Sequence, residues 1–287
     1  MAIEKAIKKK QKLKILIESA SGGGKTMSSL RLAKGLVGDD GKIVVLDTEN
    51  GSASLYADRF DFYTDELKPP YSPNNYILKI NEIEKFGADV CIIDSMSMVW
   101  SGQGGCLEMQ NNLGGKFQDW AKVSPQYEKF INKILQSPMH IICTARTKSD
   151  WSMEKDDKGK TVVTKLGLKT EARDGTDYTF TTVFRLNQSH IASVSKDRTG
   201  LFEGRDEMIT EETGKEFLNW LNNGADVKEQ KQGQEEQDLT EMAQKIVKCN
   251  SYDELKEYFD TIEPMTEEIK YLFTSRREAI ESETGKK

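Results

Sequence analysis

Residues 19–26 read Ser-Ala-Ser-Gly-Gly-Gly-Lys-Thr. They stand between an apolar run at 13–17 and apolar residues at helical spacing, Met27, Leu30, Ala33 and Leu36/Val37, with Gly38 where a helix would end. Few chains tolerate this order except as strand, tight turn and helix. Gly22, Gly23 and Gly24 carry no Cβ, so successive N–H groups can turn inward at a helix N-terminus and cradle an anion. Lys25 is placed to reach the outer phosphates of a nucleoside triphosphate, and the Thr26 hydroxyl to ligate Mg²⁺. Ser19, Ala20 and Ser21 complete the phosphate-binding segment. The pattern Gly-x-x-x-x-Gly-Lys-Ser/Thr has glycine where Ser19 stands, which matters only if that position needs a positive φ. A plain Gly-rich turn is the alternative, and the flanking periodicity argues against it.

The alternation continues down the chain. Strand-like runs at 43–47, 90–94 and 139–145 are separated by helical patterns, which predicts an α/β fold with a mainly parallel sheet flanked by helices. Ser72-Pro73 reads as N-cap and first residue of a helix whose apolar face is Ile77, Ile80, Ile83 and Phe86. Ser124-Pro125 starts another with Tyr127, Phe130, Ile131, Ile134 and Leu135. After Tyr178 the period becomes two. Runs at 179–186 and 191–195, joined by Asn187-Gln188-Ser189-His190, predict a β-hairpin extending the sheet, and a helix at 213–221 closes the domain near Ala225. Residues 228–238 contain no apolar residue and read as a solvated linker. Beyond it, Leu239, Met242, Ile246 and Val247, then Leu255, Tyr258 and Phe259, then Ile269, Leu272 and Phe273 mark short amphipathic helices. The expected organisation is one domain over 1–227, a linker over 228–238 and a small helical module over 239–287.

With 37% hydrophobic and 31% charged residues among 287, the composition is that of a soluble globular protein. No run reaches the roughly 18 apolar residues of a membrane span, and the lysine-rich start is not followed by an apolar segment long enough for a signal peptide. Cys91 and Cys143 lie in apolar runs while Cys106 and Cys249 are isolated, so neither a disulfide framework nor a zinc spacing is visible and a reducing cytoplasm is expected. Two histidines, His140 and His190, leave little room for a histidine metal site or triad. Net charge is −6, but unevenly spread: residues 1–14 hold six lysines and one glutamate, and residues 228–287 hold 10 basic and 15 acidic side chains. Any contact with nucleic acid is therefore expected to be local.

A second motif adds chemistry to the first. Asp89-Val-Cys-Ile-Ile-Asp94-Ser95 brings Asp94 to the C-terminal end of an apolar strand, the Walker B arrangement in which the aspartate holds Mg²⁺ beside Thr26. Many P-loop ATPases put a catalytic glutamate directly after that aspartate, but here Ser95 follows. Instead the 43–47 strand ends in Asp47-Thr48-Glu49-Asn50, which sets Glu49 at the mouth of a neighbouring strand. A glutamate capping a surface turn is the alternative reading.

In this order of motifs the chain resembles the RecA family of recombinases over roughly residues 10–205. The resemblance implies a RecA-like core that binds ATP with Mg²⁺, with Glu49 orienting and activating the attacking water. RecA-like proteins end the next strand with a polar residue that senses the γ-phosphate; Cys143-Thr144-Ala145-Arg146-Thr147 stands there, so Thr144 or Arg146 is the candidate. More closely, the chain is similar to the compact RecA-like P-loop proteins of tailed phages, including the single-strand annealing recombinases. Asp47-Thr48-Glu49, Ile93-Asp94-Ser95, Thr144-Ala145-Arg146 and the late Lys196-Asp197-Arg198-Thr199 carry that likeness. By it, Lys196 and Arg198 could face a neighbouring subunit's nucleotide as cationic fingers; a solvated turn is the alternative.

The resemblance further implies single-stranded DNA as partner, held by two loops. Residues 100–116 contain five glycines, as a mobile loop would. Residues 148–173 contain Lys148, Lys155, Lys158, Lys160, Lys165, Lys169 and Arg173, with Trp151 for base stacking, although five acidic residues reduce their net charge to +2. A solvated β-hairpin is the alternative for the second. A homo-oligomeric ring or filament would sum such weak contacts, and the C-terminal module could meet a single-strand binding protein or an annealing partner. The function expected is an ATP-hydrolysing recombination protein of a phage, working in the host bacterial cytoplasm with no membrane contact. The alternatives are a nucleotide-gated protein-binding switch and a helicase or packaging motor.

Overall fold

A computed structural model describes residues 11–155 and 161–223, then 251–259, 267–283 and several positions between 242 and 249. The lysines of residues 1–10, the 228–238 linker, Leu239, Val247, Lys158 and Lys160 lie outside these residues. For Trp151, Lys155 and Lys165 the description is of backbone alone.

Among the described residues nine strands form one sheet: β1 Lys14–Ser19, β2 Ile43–Asp47, β3 Tyr63–Glu66, β4 Val90–Asp94, β5 His140–Lys155, β6 Thr161–Thr170, β7 Thr182–Leu186, β8 Ile191–Asp197 and β9 Glu207–Met208. The lateral order is β3-β2-β4-β5-β1-β7-β8-β9, with β6 paired to β5. From β3 through β7 neighbouring strands are parallel; the β7–β8, β8–β9 and β5–β6 pairs are antiparallel. Every residue of β1, β2 and β4 is buried, as expected where helices cover both faces of a parallel sheet.

Strand alternation sorts those residues between two cores. Leu16, Val44, Leu46, Cys91, Ile93, Ile141 and Cys143 pack under α2 (Pro73–Phe86) and α5 (Trp120–Gln136), where Tyr76, Ile80, Tyr127 and Phe130 meet them. Ile15, Ile17, Val45, Ile92 and Ile142 pack under α1 (Lys25–Val37) and α6 (Glu211–Asn222), against Leu30, Leu36 and Phe217. The second core requires α1 and α6 to approach closely. A Cβ on Gly35 would lie 1.7 Å from the Glu211 carbonyl oxygen, and one on Gly214 2.3 Å from that of Leu32. Backbone cannot step aside as a side chain can, so Gly35→Ala is expected to cost about 3 kcal/mol or more of stability. Urea unfolding measures this, and a loss below about 1 kcal/mol would mean the helix pair separates freely.

Both helices over the first core differ in detail from expectation. Helix α5 starts at Trp120 rather than at Ser124, with Pro125 inside it. Its extra turn is held by Trp120 stacked on Trp100 at 5.2 Å and by buried Val123, which outweighs the hydrogen bond that Pro125 cannot donate. In α2 the Ser72 cap is present, its hydroxyl accepting from the Asn75 N–H at 3.3 Å, but Tyr76 is fully buried where Phe86 is 48% exposed. Phe86 instead meets Tyr63 edge-on at 4.9 Å.

The 100–116 stretch is no open loop. It contains the end of α3 (Ser97–Ser101) and all of α4 (Cys106–Asn112), with Cys106 and Gln110 buried. Its glycines serve close approach rather than mobility: at Gly104, with φ 73°, a Cβ would lie 2.4 Å from the Pro70 Cβ. The 148–173 stretch is a β-hairpin for most of its length, paired from Thr147↔Thr170 to Lys155↔Thr161 as β5 runs on past the parallel sheet.

The C-terminal part is a separate unit. In it α7 (Tyr252–Phe259) and α8 (Glu267–Glu283) share a small core of Ile246, Leu255, Phe273 and Ile280. Among the described residues no helix is long and apolar enough to cross a membrane. The four cysteines are free.

Candidate active site

The C-terminal ends of β1, β2, β4 and β7 share one rim with the Arg146 stretch of β5, because these strands are parallel and adjacent there. A cavity of about 700 Å³ opens there, lined by Ser21, Gly22, Gly24, Lys25 and Thr26 on one side and by Glu49, Asp94 and Arg146 on the other. Arg31, Tyr56 and Met208 lie along it as well.

The glycine-rich segment leaves β1 at Ser19, which is buried. Ser19 needs no glycine: among the non-glycine residues described, only Asn50 and His190 have positive φ. Its hydroxyl donates to the Ala20 carbonyl at 2.8 Å, and it fills the space above Gly23, where a Cβ would lie 2.6 Å from it. Gly22 and Gly24 do need their freedom, with φ of 78° and 83°.

Lys25 opens α1. Its ammonium donates to the Ser19 carbonyl at 3.3 Å, the Ser19 hydroxyl at 3.2 Å and the Ala20 carbonyl at 3.1 Å, all neutral acceptors. Burial lowers its pKa, while the charges of Asp94 and Glu49 act to raise it. A half-desolvated cation held only by neutral groups is a site for an anion.

Asp94 ends β4, and its peptide bond to Ser95 is cis. One carboxylate oxygen accepts from the Thr26 hydroxyl at 2.5 Å and the other from the Thr144 hydroxyl at 2.5 Å. Burial raises its pKa against the pull of those two hydrogen bonds. Among the described residues no cluster of three or more His, Cys, Asp or Glu could hold a metal by itself. The Thr26–Asp94 oxygen pair does fit Mg²⁺, which takes one or two protein oxygens and completes its octahedron with phosphate and water.

Glu49 is set by the turn that follows β2. The Asp47 carboxylate accepts from the backbone N–H of Glu49 at 2.5 Å and of Ala53 at 3.1 Å, while Asn50 and Gly51 take φ of 56° and 78°. That brace aims Glu49 into the cavity instead of leaving it as a surface residue. There it accepts from Arg146 Nη2 at 2.7 Å. The pair of sensor candidates thus divides: Thr144 is fully buried on Asp94, and Arg146 holds Glu49 in a partly exposed ion pair. The hydrogen bond to Glu49 raises the Arg146 pKa further.

Lys196 and Arg198 are not among the residues lining this cavity. Both point at the strand-edge turn before β7, where Lys196 donates to the carbonyls of Asp177 and Tyr178 and Arg198 to that of Tyr178 at 3.0 Å. His190 was missed from the sequence. It stands in the β7–β8 turn with φ 63°, and a Cβ on Gly24 would lie 2.7 Å from its Nδ1. The hairpin was expected, but nothing local says that β7 pairs with β1 and so carries its turn to the glycine-rich segment. His140, by contrast, is a buried core residue whose Nδ1 accepts from the Leu13 N–H at 3.1 Å.

Comparison with curated proteins finds no match. A family model described as an AAA domain matches residues 11–215 of the 287, the stretch that holds all nine strands and every residue lining the cavity, and the chain belongs to that family of nucleotide-binding, ATPase-type P-loop domains.

Proposed function

We propose that the protein binds ATP with Mg²⁺ and hydrolyses it as a RecA-like recombination protein of a phage, acting on single-stranded DNA as a homo-oligomer. The observation that carries the hydrolytic part is the meeting of Glu49 and Arg146 with Lys25, Thr26 and Asp94 around one cavity. In this reading the backbone N–H groups of residues 22–26 and the Lys25 ammonium bind the phosphates, and Thr26 and Asp94 hold the Mg²⁺. That ion, when bound, supplies charge neutralisation at the β- and γ-phosphate oxygens. Glu49 accepts a hydrogen bond from the attacking water and orients it, and Arg146 turns from Glu49 to the developing charge.

The DNA part is supported by the β5–β6 hairpin, which starts one residue after Arg146. Arg146, which lines the cavity, therefore stands at the base of that hairpin. Assembly is supported by Lys196 and Arg198. Two cations converge on the Tyr178 carbonyl with no carboxylate partner among the described residues, as fingers awaiting a neighbour's phosphate would. A partner at the C-terminal module belongs to the same reading.

One observation favours the second reading, a nucleotide-gated switch: the Arg146 ion pair already occupies the carboxylate that hydrolysis needs. ATP turnover with and without single-stranded DNA, with particle size measured in each state, separates the two. Stimulated turnover with a larger assembly supports recombination. Slow turnover that DNA leaves unchanged supports the switch, and directional unwinding of a duplex would indicate a motor.

A further inference from the structure

The β7–β8 turn stands over the glycine-rich segment. β7 pairs with β1 in parallel register as far as Glu18↔Arg185, so the turn that ends β7 and the segment that ends β1 emerge side by side. Gln188 Nε2 donates to the Ser21 carbonyl at 3.5 Å. The His190 ring lies against Gly24, where a Cβ would be 2.7 Å from Nδ1 and 3.3 Å from Cγ, so any side chain at position 24 would displace the imidazole.

The turn holds that ring in place. Asn187 Oδ1 accepts from the backbone N–H groups of Ser189 at 2.9 Å and Ile191 at 3.0 Å, and the His190 N–H donates to the Asn187 carbonyl at 3.1 Å. His190 itself has φ 63°, a conformation that glycine adopts at lower cost. Core packing does not account for a histidine here. The residue is exposed, it lines the cavity beside Lys25 and Thr26, and its ring makes no hydrogen bond among the described residues.

We propose that His190 is a further ligand of the nucleotide, donating an imidazole N–H to its α- and β-phosphates. Given that the glycine-rich segment holds phosphate, the reading on which this rests, its glycine backbone meets the α- and β-phosphates while the lysine reaches the β- and γ-phosphates. A ring against Gly24 therefore serves the inner phosphates. An imidazole keeps at least one N–H in either protonation state, so a donor is always present.

His190→Gly tests this, because glycine removes the ring and takes a positive φ without cost, so the turn still forms. ADP and the non-hydrolysable β,γ-imido analogue of ATP, each with Mg²⁺, are titrated calorimetrically into the full-length protein. Affinity for both is expected to fall by the same factor, about tenfold, as for loss of one hydrogen bond to a charged group. The nucleotide-free variant is expected to melt no lower than wild type, and His190→Gln, which keeps an N–H donor, to recover most of the lost affinity. Unchanged affinity in His190→Gly would overturn the inference and leave nucleotide binding standing. A loss confined to the triphosphate analogue would put the ring on the γ-phosphate and overturn it as well. So would equal losses in the glycine and glutamine variants, or a lower melting temperature of the free glycine variant, since either would mean that the ring props the segment. A wild-type protein that binds neither nucleotide would overturn the phosphate reading of the segment, and the role of His190 with it.

Discussion

Glu49→Gln is expected to leave ATP affinity within about threefold of wild type while lowering turnover by at least about a hundredfold. Glutamine keeps the length of the side chain and an oxygen that can accept from Arg146, so the turn braced by Asp47 and the shape of the cavity are retained. What it loses is the negative charge that draws a proton from water. The two effects separate in one experiment: nucleotide binding followed by fluorescence, then single-turnover hydrolysis of the bound nucleotide. A wild-type rate in the variant would falsify the role given to Glu49 and, with it, the RecA-type arrangement of the site. Loss of binding together with turnover would instead mean that Glu49 matters through its ion pair with Arg146.

Lys25→Ala is expected to do the opposite, reducing nucleotide affinity by at least about a hundredfold, on the order of 3 kcal/mol, through loss of a charged hydrogen-bond donor to phosphate. The free protein is expected to remain folded and to melt no lower than wild type. Lys25 is desolvated and held by carbonyl and hydroxyl oxygens alone, so its charge is a cost to the folded state until an anion arrives. Thermal unfolding with and without ATP and Mg²⁺ checks both halves. Wild type is stabilised by the ligand through mass action, and the variant is not. A variant that melts lower without nucleotide would show that Lys25 supports the loop, and a variant still stabilised by ATP would remove Lys25 from the phosphate site.

Much of the site was readable from the residues because its motifs are local. Residues 13–38 encode a buried strand, a glycine turn and an amphipathic helix within a single stretch, and the structure has them in those places. Asp94 follows four buried apolar residues, so its position at a strand end needed no tertiary information. The misreadings also have physical causes. Five glycines at 100–116 suggested mobility, although glycine equally permits close packing, as Gly104 does against Pro70. Pro125 suggested a helix start, but a stacked tryptophan pair from distant positions outweighed it. Strand β3, largely exposed at the sheet edge, has no apolar run to announce it.

Along the chain, then, periodicity and motif were enough for the α/β class, the glycine turn between β1 and α1, and Asp94 and Glu49 as residues at strand ends. Which of these ends meet was decided elsewhere. Arg146 reaches Glu49 across 97 positions, Thr144 reaches Asp94 across 50, and His190 closes over Gly24. All three contacts follow from the lateral order β2-β4-β5-β1-β7 and its parallel register. That order is chosen by how two helical layers cover both sheet faces, with Gly35 and Gly214 letting α1 and α6 close on one of them. Such packing sums over residues far apart in sequence, and no window of local periodicity contains it.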